Sequence, residues 1–254
     1  TNKVDRSVTG RIAMQQTTGS IQLPLNDCAV VALDFQGNHG IATSLGHAPA
    51  AALADAAKGS VLAITEALTN IVFAAIDGDI HSVSLSANWM WPCKNEGEDA
   101  RLYRAVEAAS DYAQALGINI PTGKDSLSMT QKYRDGELVY APGTVIITAA
   151  AEVSDIRKSV SPALKHTKSQ LVYVDMSRSA FNLGGSSFAQ TLGFVGSNVP
   201  TVESADYFIK AFTAVQELIN AGKVLAGHDI SAGGLITTLL EMTFADNVSG
   251  MDLS

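Results

Sequence analysis

The sequence predicts a two-domain fold of the α+β to α/β class. An N-terminal sheet domain with helices is expected over 23–160, and a truncated C-terminal α/β sandwich over 161–254. Three observations predict it. Short β-branched or alternating runs at 28–35 and 81–88 are interleaved with long helix-forming segments. A polar, Pro-containing connector at 159–168 interrupts the pattern. Beyond it the order becomes strand, helix, helix, strand, helix, as in an α/β layer.

Each element has its own signal. Residues 1–22, rich in Thr, Gln, Ser and Gly, read as a poorly ordered lead-in. The run CAVVALDF at 28–35 has the character of a buried strand. Pro49 suits a first helical turn and opens an Ala-rich helix ending near Ala57. Gly59 is expected to break it, with a second helix over 60–76. HSVSLSAN at 81–88 alternates as a half-buried strand does. A helix over 97–116 stops at Gly117. Strands at 127–133 and 137–153 are joined around Asp135-Gly136, a hairpin signal. After the connector come a strand at 171–175, helices at 185–194 and Ala205–Asn220, a strand at 224–228 and a helix at 231–245. Residues 252–254 begin a strand that does not finish, and the first residue is Thr1 rather than Met. Both features suggest a piece of a longer polypeptide.

Composition narrows the function. The 254 residues, ample for a packed core, are 46% hydrophobic and only 17% charged, with a net charge of -8. Soluble domains carry roughly 25% charge, so the low value and the mean hydropathy of +0.15 suggest surfaces covered by something else. No apolar run is long enough to span a bilayer and no secretory leader is evident. With a pI near 5.0 and no basic cluster, a nucleic-acid face is not expected. Cys28 and Cys93 form neither a disulfide framework nor a metal knuckle. A cytoplasmic protein handling small molecules is the expectation.

The helix at 61–76 carries the most chemistry. It is apolar except for Thr65, Glu66, Thr69 and Asn70, which form one stripe, with Glu66 and Asn70 a turn apart. A carboxylate on so apolar a helix needs a partner, and carboxylate plus amide oxygens suit Mg²⁺. The same stripe serves equally as a thin solvent-facing strip. Asp27, at the mouth of the first strand, is placed to ligate a metal or to cap a turn. The segment 227–234 (GHDISAGG) joins a strand end to a helix start. Ser231 suits an N-cap there, the glycines allow a phosphate to approach the backbone, and Asp229 calls for a metal to share that charge. A structural turn with a capping Ser is the alternative. Lys124 in GKDS at 123–126 offers a point charge to a phosphate, or is a solvated loop residue. The turn at 183–187 is a third Gly-rich helix start. No hydrolase triad or nucleophilic Cys motif is present, and no catalytic residue is assigned.

In order along the chain stand LPLNDCAV at 23–30, TEALTN at 65–70, LSANWM at 85–90, IPTGKDSLSM at 120–129 and HDISAGGL at 228–235. In combination they resemble the large, glutamine-dependent phosphoribosylformylglycinamidine synthase family, over nearly all of the chain from Leu23. The resemblance implies two domains of the aminoimidazole-ribonucleotide-synthetase type, from the second half of that family's synthetase region. It implies an ATP-dependent carbon–nitrogen ligase of purine biosynthesis, in which glutamine supplies ammonia to formylglycinamide ribonucleotide. The family's Mg²⁺ ligands fall on Asp27, Glu66, Asn70 and Asp229, and its nucleotide contacts on Asn26 and Ser231. ATP or ADP and Mg²⁺ are therefore the expected cofactors. Thr65 stands where many relatives have Gly. Expected partners are the first synthetase half and a glutaminase domain, with a homodimer of the isolated chain possible and no nucleic acid or membrane. Alternatives are a non-catalytic ADP–Mg²⁺ site with a structural role, or a free-standing kinase of the same superfamily.

Overall fold

The computed structural model describes residues 10–246 and 250–253. The described strands are β1 (Ile12–Met14), β2 (Cys28–Ala32), β3 (Gly40–His47), β4 (Ser84–Met90), β5 (Asn119–Ser126), β6 (Thr130–Lys132), β7 (Leu138–Tyr140) and β8 (Thr144–Val153). The helices are α1 (Pro49–Ala54), α2 (Ala56–Ile71), α3 (Glu98–Leu116), α4 (Ser187–Thr191), α5 (Ala205–Asn220) and α6 (Gly234–Phe244).

Six strands form one mixed sheet in the order β1-β2-β3-β8-β4-β5. Its neighbours pair antiparallel except β4 and β5, whose parallel pairing requires the crossover that α3 provides. β6 and β7 form a separate hairpin that turns at Asp135-Gly136, where the sequence signals it. β3 alternates strictly between buried and exposed residues, and β8 between buried and half-buried ones with only Glu152 exposed. Val30, Ala42, Leu85, Ile147 and Ala149 line the inner face, against Ile64, Ala67, Leu68 and Ile71 of α2. The outer face is open, with Ile41 and Leu45 42% and 56% exposed. No helix among the described residues is long and apolar enough to cross a membrane.

Local chemistry explains where the sequence expectations shift. Gly59 lies inside α2 instead of breaking it, because a Cβ there would stand 2.5 Å from Ala52 Cα; glycine lets α1 and α2 touch. The break is at Asp55, whose carboxylate accepts from Lys58 N at 3.0 Å as an N-cap. α2 also ends earlier than expected, and the apolar residues 72–76 form a buried loop. Gln216 of α5 holds that loop: its amide donates to Val72 O (2.5 Å) and Ala74 O (2.9 Å) and accepts from Ile76 N (3.0 Å). The strand expected at 81–88 starts at Ser84, since Asp79 and Ser82 cap a 3₁₀ turn over Ile80–Ser82. β5 occupies what reads as a phosphate turn; Gly123 lets it approach β4, for a Cβ would meet Ala87 O at 2.2 Å. β1 forms within the expected lead-in, pairing with β2. Residues 1–9 of that lead-in, and Ser254 of the expected last strand, lie outside the described residues.

Beyond the connector α5 stands as expected, α4 is shorter, and α6 starts at Gly234. Phe208, Phe212 and Ile219 of α5 join the N-terminal core, and Phe208 meets Tyr112 edge-on at 6.5 Å. The strands expected at 171–175 and 224–228 are not formed among the described residues. An extended segment is stable only beside a paired neighbour, and Val172 is instead 73% exposed.

Replacing Gln216 by Leu keeps the volume but strands three backbone groups. We expect a loss of about 1–3 kcal/mol in urea-unfolding stability, and an unchanged midpoint would show that the loop does not depend on this side chain.

Candidate metal centre

β2 begins at Cys28 opposite Ser44, so residues 45–47 at the end of β3 run past it without a β2 partner. Backbone groups left bare in such a gap need other partners. α2 supplies them: Glu66 Oε2 accepts from His47 N at 2.5 Å, and Asn70 Nδ2 donates to Leu45 O at 2.8 Å. Their spacing of four residues puts both on one helix face. The rest of the polar stripe turns back on its own helix, Thr65 Oγ1 bonding Val61 O and Thr69 Oγ1 bonding Glu66 O.

Asp27, immediately before β2, reaches the same gap. The loop leading into α6 closes it from the far side. Asp229 N donates to Asp27 Oδ2 at 3.3 Å, while Asp229 O accepts from Thr238 Oγ1 of α6 at 2.8 Å. His228 lies between them: its Nδ1 is 2.8 Å from Asp27 Oδ1 and 3.3 Å from Asp229 Oδ1, and its Nε2 is 3.1 Å from Glu241 Oε2. The Asp27 and Asp229 side chains are only 4% and 6% exposed.

Burial governs the electrostatics. It pushes the Asp27 carboxyl up to about 6, against the pull of His228. It pushes Glu66 up to about 7, against the hydrogen bond from His47 N. For His228 burial disfavours the imidazolium, yet hydrogen bonds and charge from Asp229 and Asp27 prevail and raise it to about 10. A site that raises carboxyl pKa values while crowding three carboxylates together favours a bound cation.

Asn26, Asp27, Glu66, Asn70, Asp229 and Ser231 all line one cleft of about 580 Å³, together with His228 and Glu241. Asn26 donates from Nδ2 to Gln15 O (2.6 Å) and Thr17 O (3.2 Å), and its buried Oδ1 has no partner among the described residues. Ser231 is not the N-cap of α6, which falls on Gly233. Lys124 does not line this cleft. It lies exposed on β5, at the sheet edge opposite β1, and bonds Ser126 Oγ. In the turn at 183–187, Ser186 caps α4 by accepting from Ala189 N at 3.1 Å. Sequence reasoning passed over His228 and Glu241 as site residues. The adjacency of His228 to Asp229 was a signal, but nothing local pairs His228 with a residue two turns into α6.

The donor set fits a hard divalent cation: three carboxylates and an amide oxygen, all oxygen ligands, suit Mg²⁺. Ligand atoms of Asp27, His228 and Asp229 lie within 4.8 Å of one another.

Residues 1–152 match the family model of the FGAR-AT PurM_N-like domain, and residues 176–250 that of the AIR synthase related protein, C-terminal domain. Phosphoribosylformylglycinamidine synthase of Homo sapiens is 44% identical over 249 residues, covering 97% of this chain and 18% of its own length. The probable chloroplastic/mitochondrial phosphoribosylformylglycinamidine synthase of Arabidopsis thaliana gives the same figures. The chain thus spans under a fifth of the length of these curated relatives. A structure of T. maritima PurL complexed with FGAR shares the fold, with a TM-score of 0.58 and 15% identity over 89% of this chain and 34% of that one. By the family model that covers its first 152 residues, the chain belongs to the FGAR-AT PurM_N-like family.

Proposed function

We propose that this chain is the nucleotide- and Mg²⁺-binding segment of an ATP-dependent ligase of purine biosynthesis. The whole enzyme would convert formylglycinamide ribonucleotide, glutamine and ATP to formylglycinamidine ribonucleotide in the cytoplasm. One observation carries this reading: the six residues assigned to metal and nucleotide from three separate stretches of sequence line a single cleft. Asp27, Glu66, Asn70 and Asp229 would hold Mg²⁺, and Asn26, through its unpartnered Oδ1, would accept from the nucleotide with Ser231 beside it. When bound, Mg²⁺ supplies charge neutralisation to the phosphates. The chain's own residues orient the ligand and keep the carboxylates dry. Lys124, outside the cleft, has no support as a nucleotide contact from this arrangement.

A second reading has its own observation. The cleft joins Asp27 to Asp229 across 202 residues, so a nucleotide and cation held there would staple distant parts of the chain whether or not they turn over. A free-standing kinase draws no comparable support.

The missing partners of the larger enzyme, a first synthetase half and a glutaminase domain, leave surfaces that this chain would present to them. The open sheet face is one: Val31 lies beside Ile41 and Ile146 beside His47 on it, next to Leu45. We infer that it pairs with a related sheet of the sister half, and that the isolated chain partly replaces this contact with a second copy.

Four measurements check these readings. Asp27→Asn should weaken Mg²⁺-dependent ADP binding about tenfold or more by calorimetry, and nucleotide binding indifferent to Mg²⁺ would contradict the ligand set. In the full-length enzyme, lost turnover in a well-folded Asp27→Asn protein would favour the catalytic reading over the stapling one.

The pH dependence of metal-free stability has a definite sign. Glu66 is raised from 4.5 to about 7 in the folded state, so its contribution is fully present below about 4.5 and is lost as pH rises to about 7. Glu66→Gln has no such loss, so its melting temperature should rise relative to wild type across that window and hold a constant offset above it. A constant offset throughout would show that Glu66 is not raised.

Sedimentation of the isolated chain should show a dimer, which Leu45→Glu on the open face returns to monomer. A monomeric wild type at micromolar concentration rules the self-pairing out.

A further inference from the structure

Gln22 stands in the left-handed backbone region, with φ at 60°, where glycine is the usual occupant. It is not among the residues that line the cleft, yet its side chain is gripped at both ends. Oε1 accepts from Gln15 Nε2 at 3.3 Å and from Thr17 Oγ1 at 3.1 Å, and Nε2 donates to Gly19 O at 2.9 Å. A conformation that long side chains rarely adopt persists only where its surroundings fix it, and such positions gather at functional sites.

The two residues that Gln22 holds by their side chains are the two that orient Asn26 by their carbonyls. Asn26 Nδ2 donates to Gln15 O at 2.6 Å and to Thr17 O at 3.2 Å. The amide cannot turn over without setting its oxygen against both carbonyls. Its buried Oδ1 is left as an acceptor with no partner among the described residues, on a residue that lines the cleft. Thr17 is itself buried, so the link through it is shielded from water. The loop is also seated as a unit. Thr18 and Leu23 exchange backbone hydrogen bonds of 2.8 and 3.2 Å, and a Cβ on Gly19 would collide with Ala245 O, just past the end of α6. α6 fixes the Asp229 loop as well, through Thr238. The frame around Asn26 and the loop across the cleft thus rest on one helix.

We propose that Gln22 is a positioning residue of the nucleotide site. By tying Gln15 to Thr17 it sets the spacing of the two carbonyls that hold the Asn26 amide, and so keeps Oδ1 ready to accept from a hydrogen-bond donor of the nucleotide. Gln22 itself touches no ligand on this account. The inference rests on the nucleotide reading above.

The test uses the full-length protein, where the Mg²⁺-dependent ADP binding that Asp27→Asn weakens marks the site. Gln22→Gly removes the side chain and suits the left-handed backbone. It should weaken that binding about tenfold by calorimetry, at temperatures well below the melting of the ligand-free variant. A merely structural Gln22 leaves the affinity of the folded variant unchanged, and that result overturns the inference while the nucleotide site stands. Asn26→Ala should weaken binding too, and the two losses should not add in the double variant, since both act through Oδ1. Additive losses overturn the route through Asn26. Should Gln22→Gly not fold, Thr17→Val removes the hydroxyl at the other end of the same link and decides in its place. A loss of about threefold is expected there, and unchanged affinity overturns the inference. A wild type without ADP binding sensitive to Asp27→Asn overturns the nucleotide reading itself, and the inference with it.

Discussion

β3 outruns β2. Because β2 opens at Cys28 opposite Ser44, the last residues of β3 present an amide and a carbonyl to a gap in the sheet. Every element of the site is arranged around that gap. Glu66 and Asn70 are held by the backbone groups it leaves bare, and Asp27 fills its mouth as the residue before β2. Were β2 two residues longer at its start, its own ladder would take those bonds. Glu66 would then lose its anchor and Asp27 its place. The site is thus a consequence of strand register, which the buried–exposed alternation of β3 enforces, since a slip of one residue would turn Val30 and Ala42 outward.

Register alone places carboxylates together without stabilising them. Three carboxylates at low exposure cost free energy unless a positive charge shares the space. In the described chain the His228 ring lies nearest, its Nδ1 2.8 Å from Asp27 Oδ1, and the loop carrying His228 and Asp229 is fixed by Thr238 and Glu241 of α6. The C-terminal part is in turn tied to the N-terminal core at another point, through Gln216 and the aromatic residues of α5. Two separate anchors hold the Asp229 loop against a site that begins at Asn26. The cleft accordingly owes its shape to contacts of long sequence separation, and a change far from it, in α5 or α6, can reach it.

What the sequence made readable follows that division between local and distant causes. The spacing of Glu66 and Asn70 is a helix property and was visible as such. Asp27 was visible as a strand-mouth residue and Asp229 by its Gly-rich neighbourhood, but only the register explains why they meet. Asn26 had no local signal and entered through the resemblance alone. His228 and Glu241 were missed because their pairing depends on how α6 packs. The fold expectations failed where a side chain from elsewhere overrode local propensity. The apolar residues 72–76 would extend a helix, yet Gln216 satisfies their backbone as a loop. Lys124 was read on a turn because GKDS lacks strand formers, while the parallel pairing with β4 makes it a strand.

The low charge content acquires a structural location in the same way. On the open sheet face Ile41 and Leu45 are exposed, and in the C-terminal part so are Val172, Phe181 and Ile236. Charged side chains are the usual occupants of such exposed positions, so these residues account for the low charge content where they stand. The two surfaces differ in what they need. The sheet face is already paired along its strands and asks only for a layer across it. The segments 171–175 and 224–228 have no neighbouring strand among the described residues, so their backbone groups, unlike those of the sheet, are left without a ladder to pair with.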